Sequence, residues 1–465
     1  MPSKNLKIHF IGIGGIGVSA LAQYYLKKRN QISGSDLTSS EIIDFLKKKG
    51  VKIFTPHHPA KAGATGQIGH SEKNLPKDTN LVIYSAAVCK NNPELEKAKK
   101  LGIKCLTYSQ ALGELTKKYF TIAVSGTHGK STTTAMIALI LIKAGLNPTV
   151  ILGTKLKEFG NSNFRIGESK YLIIEADEWN ASFLNYWPKI IVLTNIEREH
   201  LDYYKNLKNI LKTYKEYIGH LPKSEVLVAN EEDKNIQKII RDRISEGDPI
   251  SLYRSKQEET SRLKKILKIP GKHNVSNALA ALTVARVLKI PNKISFKALS
   301  EYRGSWRRFE ESNCSIKTNK LKTMNYKLIS DYGHHPTEIK ATLEAAREKY
   351  PKKEIICIFQ PHQYQRTFYL FDDFVKVFKK VPIDKLIITD IYDVAGRETK
   401  GLKKKVNSKK IVEAVGKSSV IYLPKEKIID YIKKNLRGKE VVIIMGAGDI
   451  YNLNLNLNSK FKIQS

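Results

Sequence analysis

Eight residues, Ser-Gly-Thr-His-Gly-Lys-Ser-Thr at 125–132, carry the chemistry most readily read from this chain. Gly126 and Gly129 allow the backbone N–H groups around Thr127 and His128 to turn inward about a polyphosphate, and a helix beginning there adds partial positive charge. Lys130 can reach β- and γ-phosphate oxygens, and the hydroxyl of Ser131 or Thr132 can complete a Mg²⁺ shell. The general phosphate-loop pattern has a glycine six residues before its lysine; Val124 stands there, so this loop is a shortened relative. The competing reading is a strand-to-helix turn rich in Gly, Ser and Thr with an incidental lysine.

Other polar groups follow apolar runs. Glu175, Asp177 and Glu178 come after residues 171–174, and Asn195, Glu197 and His200 after 190–194. At the C-terminal ends of parallel strands such groups line the ligand crevice, where a carboxylate and an imidazole can hold a divalent ion; otherwise they are helix caps or surface ion pairs. His273, Asn274 and Asn277 open a helical pattern and can read an adenine edge or ribose, although asparagine at a helix start is commonly a cap. Farther on, Asp331-Tyr-Gly-His-His-Pro336 and Gln360-Pro-His-Gln-Tyr-Gln-Arg-Thr367 each follow a strand. They place His334, His335, His362 and Arg366 where a carboxylate or phosphate can be recognised, with an ordinary surface loop as the alternative.

A second glycine loop, Gly12-Ile-Gly14-Gly15-Ile-Gly17, joins an apolar run at 6–11 to a helical pattern ending at residue 28, with Asp36 downstream. In that strand–turn–helix setting it matches the dinucleotide fingerprint, and alone it points to an NAD-dependent oxidoreductase. Residues 56–70 are rich in Gly, Ala, Pro and His without periodicity and read as a surface loop; His57, His58 and His70 are expected to be solvated.

Strand-like and helical patterns alternate almost throughout, predicting α/β domains with mostly parallel sheets. Three are expected: residues 1–115, 116–322 and 323–465. The phosphate loop is predicted between a strand at 119–124 and a helix at 132–144, and the Asn-Leu repeat at 452–458 carries little information. The 465 residues are 41% hydrophobic, as in ordinary globular proteins. No apolar run approaches a membrane span, and Lys7 leads directly into a strand instead of a signal segment. Cys89, Cys105, Cys314 and Cys357 show neither metal spacing nor a disulfide framework, which fits a reducing cytoplasm. The net charge of +35 is scattered along amphipathic helices and is accompanied by no nucleic-acid-binding signature. It implies a field that favours small anionic substrates, and no nucleic-acid partner.

Taken together, the motifs resemble the Mur ligase family, and within it the alanine-adding branch. The resemblance rests on residues 9–17, Gly34-Ser-Asp36, Gly126-Thr-His-Gly-Lys-Ser-Thr132, Glu175-Ala-Asp-Glu178 and Thr194-Asn-Ile-Glu197 with His200. It continues through Gly271-Lys-His-Asn274 with Asn277, Arg307-Arg-Phe-Glu310, Asp331 to Glu338, Phe359-Gln-Pro-His362 with Arg366, and Gly446-Ala-Gly-Asp449. It implies a Rossmann-like N-terminal domain, a central ATPase domain and a C-terminal amino-acid domain. The implied activity is ATP- and Mg²⁺-dependent joining of L-alanine to UDP-N-acetylmuramate in peptidoglycan precursor synthesis, with domain closure on binding. A recycling relative that adds a murein tripeptide is the alternative. The first loop would then cradle the sugar nucleotide through Gly12, Gly14, Gly15, Gly17, Asp36, His70 and Ser85, not NAD. ATP would be held by 126–132, His273, Asn274, Asn277, Arg308 and Asp331, and the metal by Ser131, Glu175 and His200. Lys130, Glu175, His200, His335 and Arg366 would serve catalysis, and His334, His335, His362 and Arg366 would contact the amino acid. Ser131 stands where threonine is usual, Arg198-Glu199 replace a small residue and an aspartate, and residues 57–68 look inserted.

Overall fold

The computed structural model describes residues 5–56, 69–255, 257–317, 323–394 and 401–458. Residues 57–68, with His57 and His58, lie outside that set. Three sheets form. The first comprises β1 (Lys7–Ile11), β2 (Gln31–Ser35), β3 (Lys52–Phe54), β4 (Leu81–Tyr84) and β5 (Lys104–Thr107), in the order β3-β2-β1-β4-β5 and parallel throughout. Strand order reverses between β1 and β4, the switch point at which open parallel sheets bind ligands.

The second sheet has seven strands: β6 (Phe120–Ser125), β7 (Thr149–Leu156), β8 (Ser162–Arg165), β9 (Tyr171–Glu175), β10 (Ile190–Leu193), β11 (Val226–Asn230) and β12 (Ile250–Tyr253), ordered β12-β11-β10-β6-β9-β7-β8. The central strands β6, β9 and β10 are almost wholly buried, which explains why they read as continuous apolar runs instead of alternating patterns. The third sheet contains β13 (Glu310–Lys317), β14 (Thr323–Asp331), β15 (Ile355–Phe359), β16 (Lys385–Ile388), β17 (Val420–Tyr422) and β18 (Val441–Met445), ordered β13-β14-β18-β15-β16-β17.

Two antiparallel pairings, β7 with β8 and β13 with β14, are absent from the sequence reading. Both lie at sheet edges, where polar residues such as those of Glu310–Lys317 obscure the apolar signal. As a result the third sheet begins upstream of residue 323. The Asn-Leu repeat also has a structural role: Tyr451–Asn458 is a helix, and Leu453 and Leu457, four residues apart on one face, enter the core beside Ile444 and Ile450.

The chain divides into two compact units, one of residues 1–197, 210–254 and 278–299 and the other of 198–209, 255–277 and 300–465. The first contains the first two sheets, and the second contains the third. Cys314 and Cys357 are buried in the second unit, and all four cysteines are free thiols. Among the described residues no helix is long and apolar enough to cross a membrane.

Candidate active site

The phosphate loop leaves β6 and enters the helix Lys130–Lys143, which starts two residues earlier than its sequence pattern indicates. Gly129 caps that helix at φ +83°, and Gly126 adopts φ +136°. A β-carbon on Gly126 would fall 2.0 Å from Thr194 Oγ1 and 2.9 Å from the Asn195 carbonyl oxygen, so only glycine fits. The N–H groups of Thr127 and His128 donate to Asn195, at its carbonyl (2.9 Å) and its Oδ1 (2.8 Å). They hold the loop rather than a phosphate. The donors left for a polyphosphate are the first-turn amides of the helix at Lys130, Ser131 and Thr132, which have no preceding turn to bond.

Lys130 folds back over the loop. Its ammonium donates to Gly126 O (2.7 Å), Thr127 O (3.3 Å) and the buried Glu178 carboxylate (2.8 Å). Burial pulls its pKa down, but Glu178, Asp177 and Glu175 outweigh burial and leave it raised. The Ser131 hydroxyl donates to Glu175 Oε2 at 2.9 Å, and Gly153 N–H fixes the other carboxylate oxygen at 2.5 Å. A hydroxyl beside an anchored carboxylate is a hard-oxygen donor set that suits Mg²⁺. His200, the third expected ligand, belongs to the second unit, where it precedes the helix Leu201–Tyr204 at φ +53°. His128 lies 3.5 Å from Glu197.

At the other glycine loop, Gly12 and Ile13 donate to the Ser35 carbonyl (2.8 and 3.1 Å) and Gly14 donates to Asp36 Oδ2 (2.8 Å). Gly15 caps the helix Ile16–Lys27, Gly17 lies in its first turn, and a β-carbon on Gly12 would meet Ser85 at 2.9 Å. His70 is not solvated as expected. Its Nδ1–H donates to Glu94 (2.9 Å), and that carboxylate, wholly buried, also accepts from His9 (2.8 Å) and Ser35 Oγ (2.6 Å).

The second unit gathers His334, His335, His362 and Arg366. Arg366 is buried and heavily engaged: Nε and Nη2 donate to Glu199 Oε1 (2.9 Å each), and Nη1 donates to His362 Nδ1 and O (3.1 Å each). A guanidinium only donates, so His362 Nδ1 accepts and the ring proton lies on Nε2. His362 also stacks on Tyr392 at 5.4 Å. His335 Nδ1 accepts from Thr337 N–H, leaving Nε2–H to donate to Arg198 O. His334 is the reverse. Its Nδ1 faces the Tyr332 carbonyl at 3.1 Å and must donate, which puts the lone pair on Nε2. Burial and Arg366 push its pKa down to about 4, against the opposing pull of Glu338 and Glu199, so the ring is neutral.

The remaining expected ATP contacts hold loops together here. Asp331 accepts from Phe309 N–H (2.8 Å) and Gly333 N–H (2.7 Å), with its carboxyl raised by burial. Arg308 lies 3.7 Å from Glu338 and over the Tyr332 ring. Asn274 donates to Pro270 O (2.6 Å), Asn277 Nδ2 lies 3.5 Å from Asn274 Oδ1, and His273 opens the same helix, Lys272–Val287.

Family models match three successive segments: "Mur ligase family, catalytic domain" over residues 7–120, "Mur ligase middle domain" over 124–285, and "Mur ligase, glutamate ligase domain" over 316–448. The chain belongs to the Mur ligase family. Among similar curated proteins, the UDP-N-acetylmuramate–L-alanine ligase of Acetivibrio thermocellus is 41% identical over 97% of this chain and 95% of its own. That of Clostridium botulinum is 39% identical, covering 97% of both chains. The crystal structure of UDP-N-acetylmuramate-alanine ligase from Thermotoga maritima superposes with a TM-score of 0.76 at 26% identity, covering 98% of this chain and 99% of that one. A murein peptide ligase from Psychrobacter arcticus shares the fold, with a TM-score of 0.70 at 21% identity over 99% of this chain and all of that one.

In this Mur ligase, several structural residues escaped the sequence reading. Asn195 was visible only as a polar strand end, and Gly153 as nothing at all. Glu94 follows Asn92-Pro93, a legible helix start, but a cap signal does not reveal burial among histidines.

Proposed function

We propose that this chain is an ATP-dependent ligase that joins L-alanine to UDP-N-acetylmuramate, acting in the cytoplasm. The supporting observation is likeness along nearly the whole chain, at 41% identity, to a ligase of that name. Membership of this family also leaves the oxidoreductase reading without support.

In the proposal, the first-turn amides at 130–132 and Lys130 hold the ATP phosphates, with Glu178 yielding Lys130 when they arrive. Mg²⁺, held by Ser131 and Glu175, would supply neutralising charge at the phosphate oxygens. The muramate carboxylate attacks the γ-phosphorus and ADP leaves, giving an acyl phosphate. The amine of alanine then attacks the acyl carbon, and the tetrahedral intermediate expels inorganic phosphate. Phosphorylation is needed because a free carboxylate has no adequate leaving group. Lys130 stabilises charge that grows on phosphate oxygens in the first transition state. Among the C-terminal histidines, His334 alone directs a lone pair from Nε2, so it is the ring suited to take the proton that the amine nitrogen sheds as its bond to the acyl carbon forms. Arg366 serves by fixing His362 and bracing Glu199, not as a free carboxylate reader.

The test is phosphate release from ATP, Mg²⁺, UDP-N-acetylmuramate and L-alanine. Release that requires all four supports the reading. Release with a murein tripeptide but not with alanine would move the protein to the recycling ligases.

A further inference from the structure

Tyr108 has no role in the chemistry above, yet its place in the first unit is tightly specified. It opens the helix Tyr108–Thr116, whose start is fixed by a reciprocal cap: Gln110 N–H donates to Thr107 Oγ1 (3.2 Å) and Thr107 N–H to Gln110 Oε1 (2.9 Å). The same helix packs on the segment after Glu178, so closely at Gly113 that a β-carbon there would lie 2.2 Å from Asn185 O. On its other side the phenol tip rests on the first turn of Ile16–Lys27. A β-carbon on Gly17 would fall 2.8 Å from both Tyr108 Cζ and Oη. Gly17 is absent from the glycines at positive φ, so it is small to admit this ring and not to free the backbone.

Three further observations bear on the hydroxyl. The helix beneath it is capped by Gly15, with no side chain engaging its first-turn N–H groups, and therefore attracts an anion. Among the described residues no hydrogen bond engages Tyr108 Oη, and the side chain remains partly exposed. Burial, then the Glu175 and Asp177 carboxylates, raise the phenol well above its ordinary value, so it stays a protonated donor.

We propose that the Tyr108 hydroxyl binds the diphosphate of the sugar nucleotide, donating to a phosphate oxygen seated over the N-terminus of Ile16–Lys27. The inference rests on the reading that this ligase takes UDP-N-acetylmuramate. A neutral donor suits the place. A phenol here adds a hydrogen bond and no charge.

The experiment is calorimetric titration of the full chain and its Tyr108→Phe variant with UDP, uridine, UDP-N-acetylmuramate and MgATP. A hydrogen bond to a charged oxygen is worth about 1.5–3 kcal/mol, so Tyr108→Phe should weaken UDP and UDP-N-acetylmuramate binding by roughly 10- to 100-fold. Uridine, which lacks the diphosphate, and MgATP should bind unchanged; a merely structural role would not discriminate in this way. Equal affinity of both proteins for UDP, or an equal loss for uridine, would overturn the inference. A wild-type protein that binds UDP but not UDP-N-acetylmuramate would sink the functional reading, while the UDP comparison would still decide the role of Tyr108. Failure of the wild type to bind either would remove both.

Discussion

Glu94 offers the sharpest stability test in the first unit. Its carboxylate is wholly buried, with His9 and Ser35 donating to Oε2, and with His70 (2.9 Å), Ser71 N–H (3.3 Å) and Asn74 Nδ2 (2.9 Å) donating to Oε1. Through Ser35 it supports the glycine loop, because the Ser35 carbonyl holds the Gly12 and Ile13 amides. Glu94→Ala would strand all of these donors in a dry site and should cost about 3–5 kcal/mol. Glu94→Gln should be far milder. Its amide NH₂ can turn to the Oε2 side, where Ser35 Oγ can accept and His9 can move its proton to Nδ1, opposite Ser33 Oγ at 2.8 Å. Ser71 N–H and Asn74 Nδ2 only donate, so the amide oxygen must stay with them. What is lost is charge assistance, about 1–2 kcal/mol.

The chain has several cores, so one global transition would mix their stabilities. The better readout is local: amide exchange in peptides covering residues 7–35, with 441–445 in the second unit as internal control. Protection should fall in the order wild type, Gln, Ala, with 441–445 unchanged. Wild-type protection in the Ala variant, or a Gln variant as weak as Ala, would refute the reasoning. The pH dependence gives a second check. Burial raises the Glu94 carboxyl, but bonds from His70, His9 and Ser35 outweigh it and hold the group far below its ordinary value of about 4.5. A depressed carboxyl contributes stability that is fully present above that value and is lost as pH falls from it toward the folded value. The Gln variant, which cannot ionise, should lack that acid slope.

Four further outcomes are expected. Lys130→Ala should abolish turnover with the fold intact by circular dichroism; retained activity would remove the phosphate-loop assignment. Gly126→Ala, with its β-carbon 2.0 Å from Thr194 Oγ1, should lose several kcal/mol locally and all measurable MgATP binding by calorimetry. Glu178→Gln removes the carboxylate that holds Lys130, so MgATP should bind several-fold tighter, and weaker binding would show that Glu178 helps seat the nucleotide. His334→Gln should lower kcat by on the order of 10²-fold without altering MgATP affinity. With its pKa near 4, any acid limb due to His334 in the free enzyme should lie near pH 4 and not near 6.5.

The parallel strands were legible because burial on both faces makes their sequences continuously apolar, as in β10, β15 and β18. Edge strands carry no such mark. Glu310–Lys317 gains its place from pairing with Thr323–Asp331, a partner that no local pattern in its own polar sequence announces. Sequence pattern also sets the helix start at 132 instead of 130, because Lys130 and Ser131 look like loop residues and nothing local announces that the left-handed Gly129 caps them.

The candidate site divides along a different line. Residue types that can carry a proton or a phosphate stand out in sequence, but their division of labour depends on partners supplied by distant backbone. His334, His335 and His362 are equivalent as letters. A carbonyl at Tyr332 makes the first direct its lone pair from Nε2, a cap at Thr337 and the Arg198 carbonyl occupy both nitrogens of the second, and Arg366 forces the third to accept at Nδ1. The same logic applies to Arg366, whose charge invites a substrate carboxylate until Glu199 is found against it. If that partnership governs its role, Glu199→Ala should harm the protein more than loss of one exposed ion pair would. The bared guanidinium stays buried, which costs about 3–5 kcal/mol, whereas an exposed pair is worth about 1 kcal/mol or less. A loss no larger than the exposed-pair value, measured by exchange in peptides covering 359–370, would return Arg366 to the role of a free anion reader.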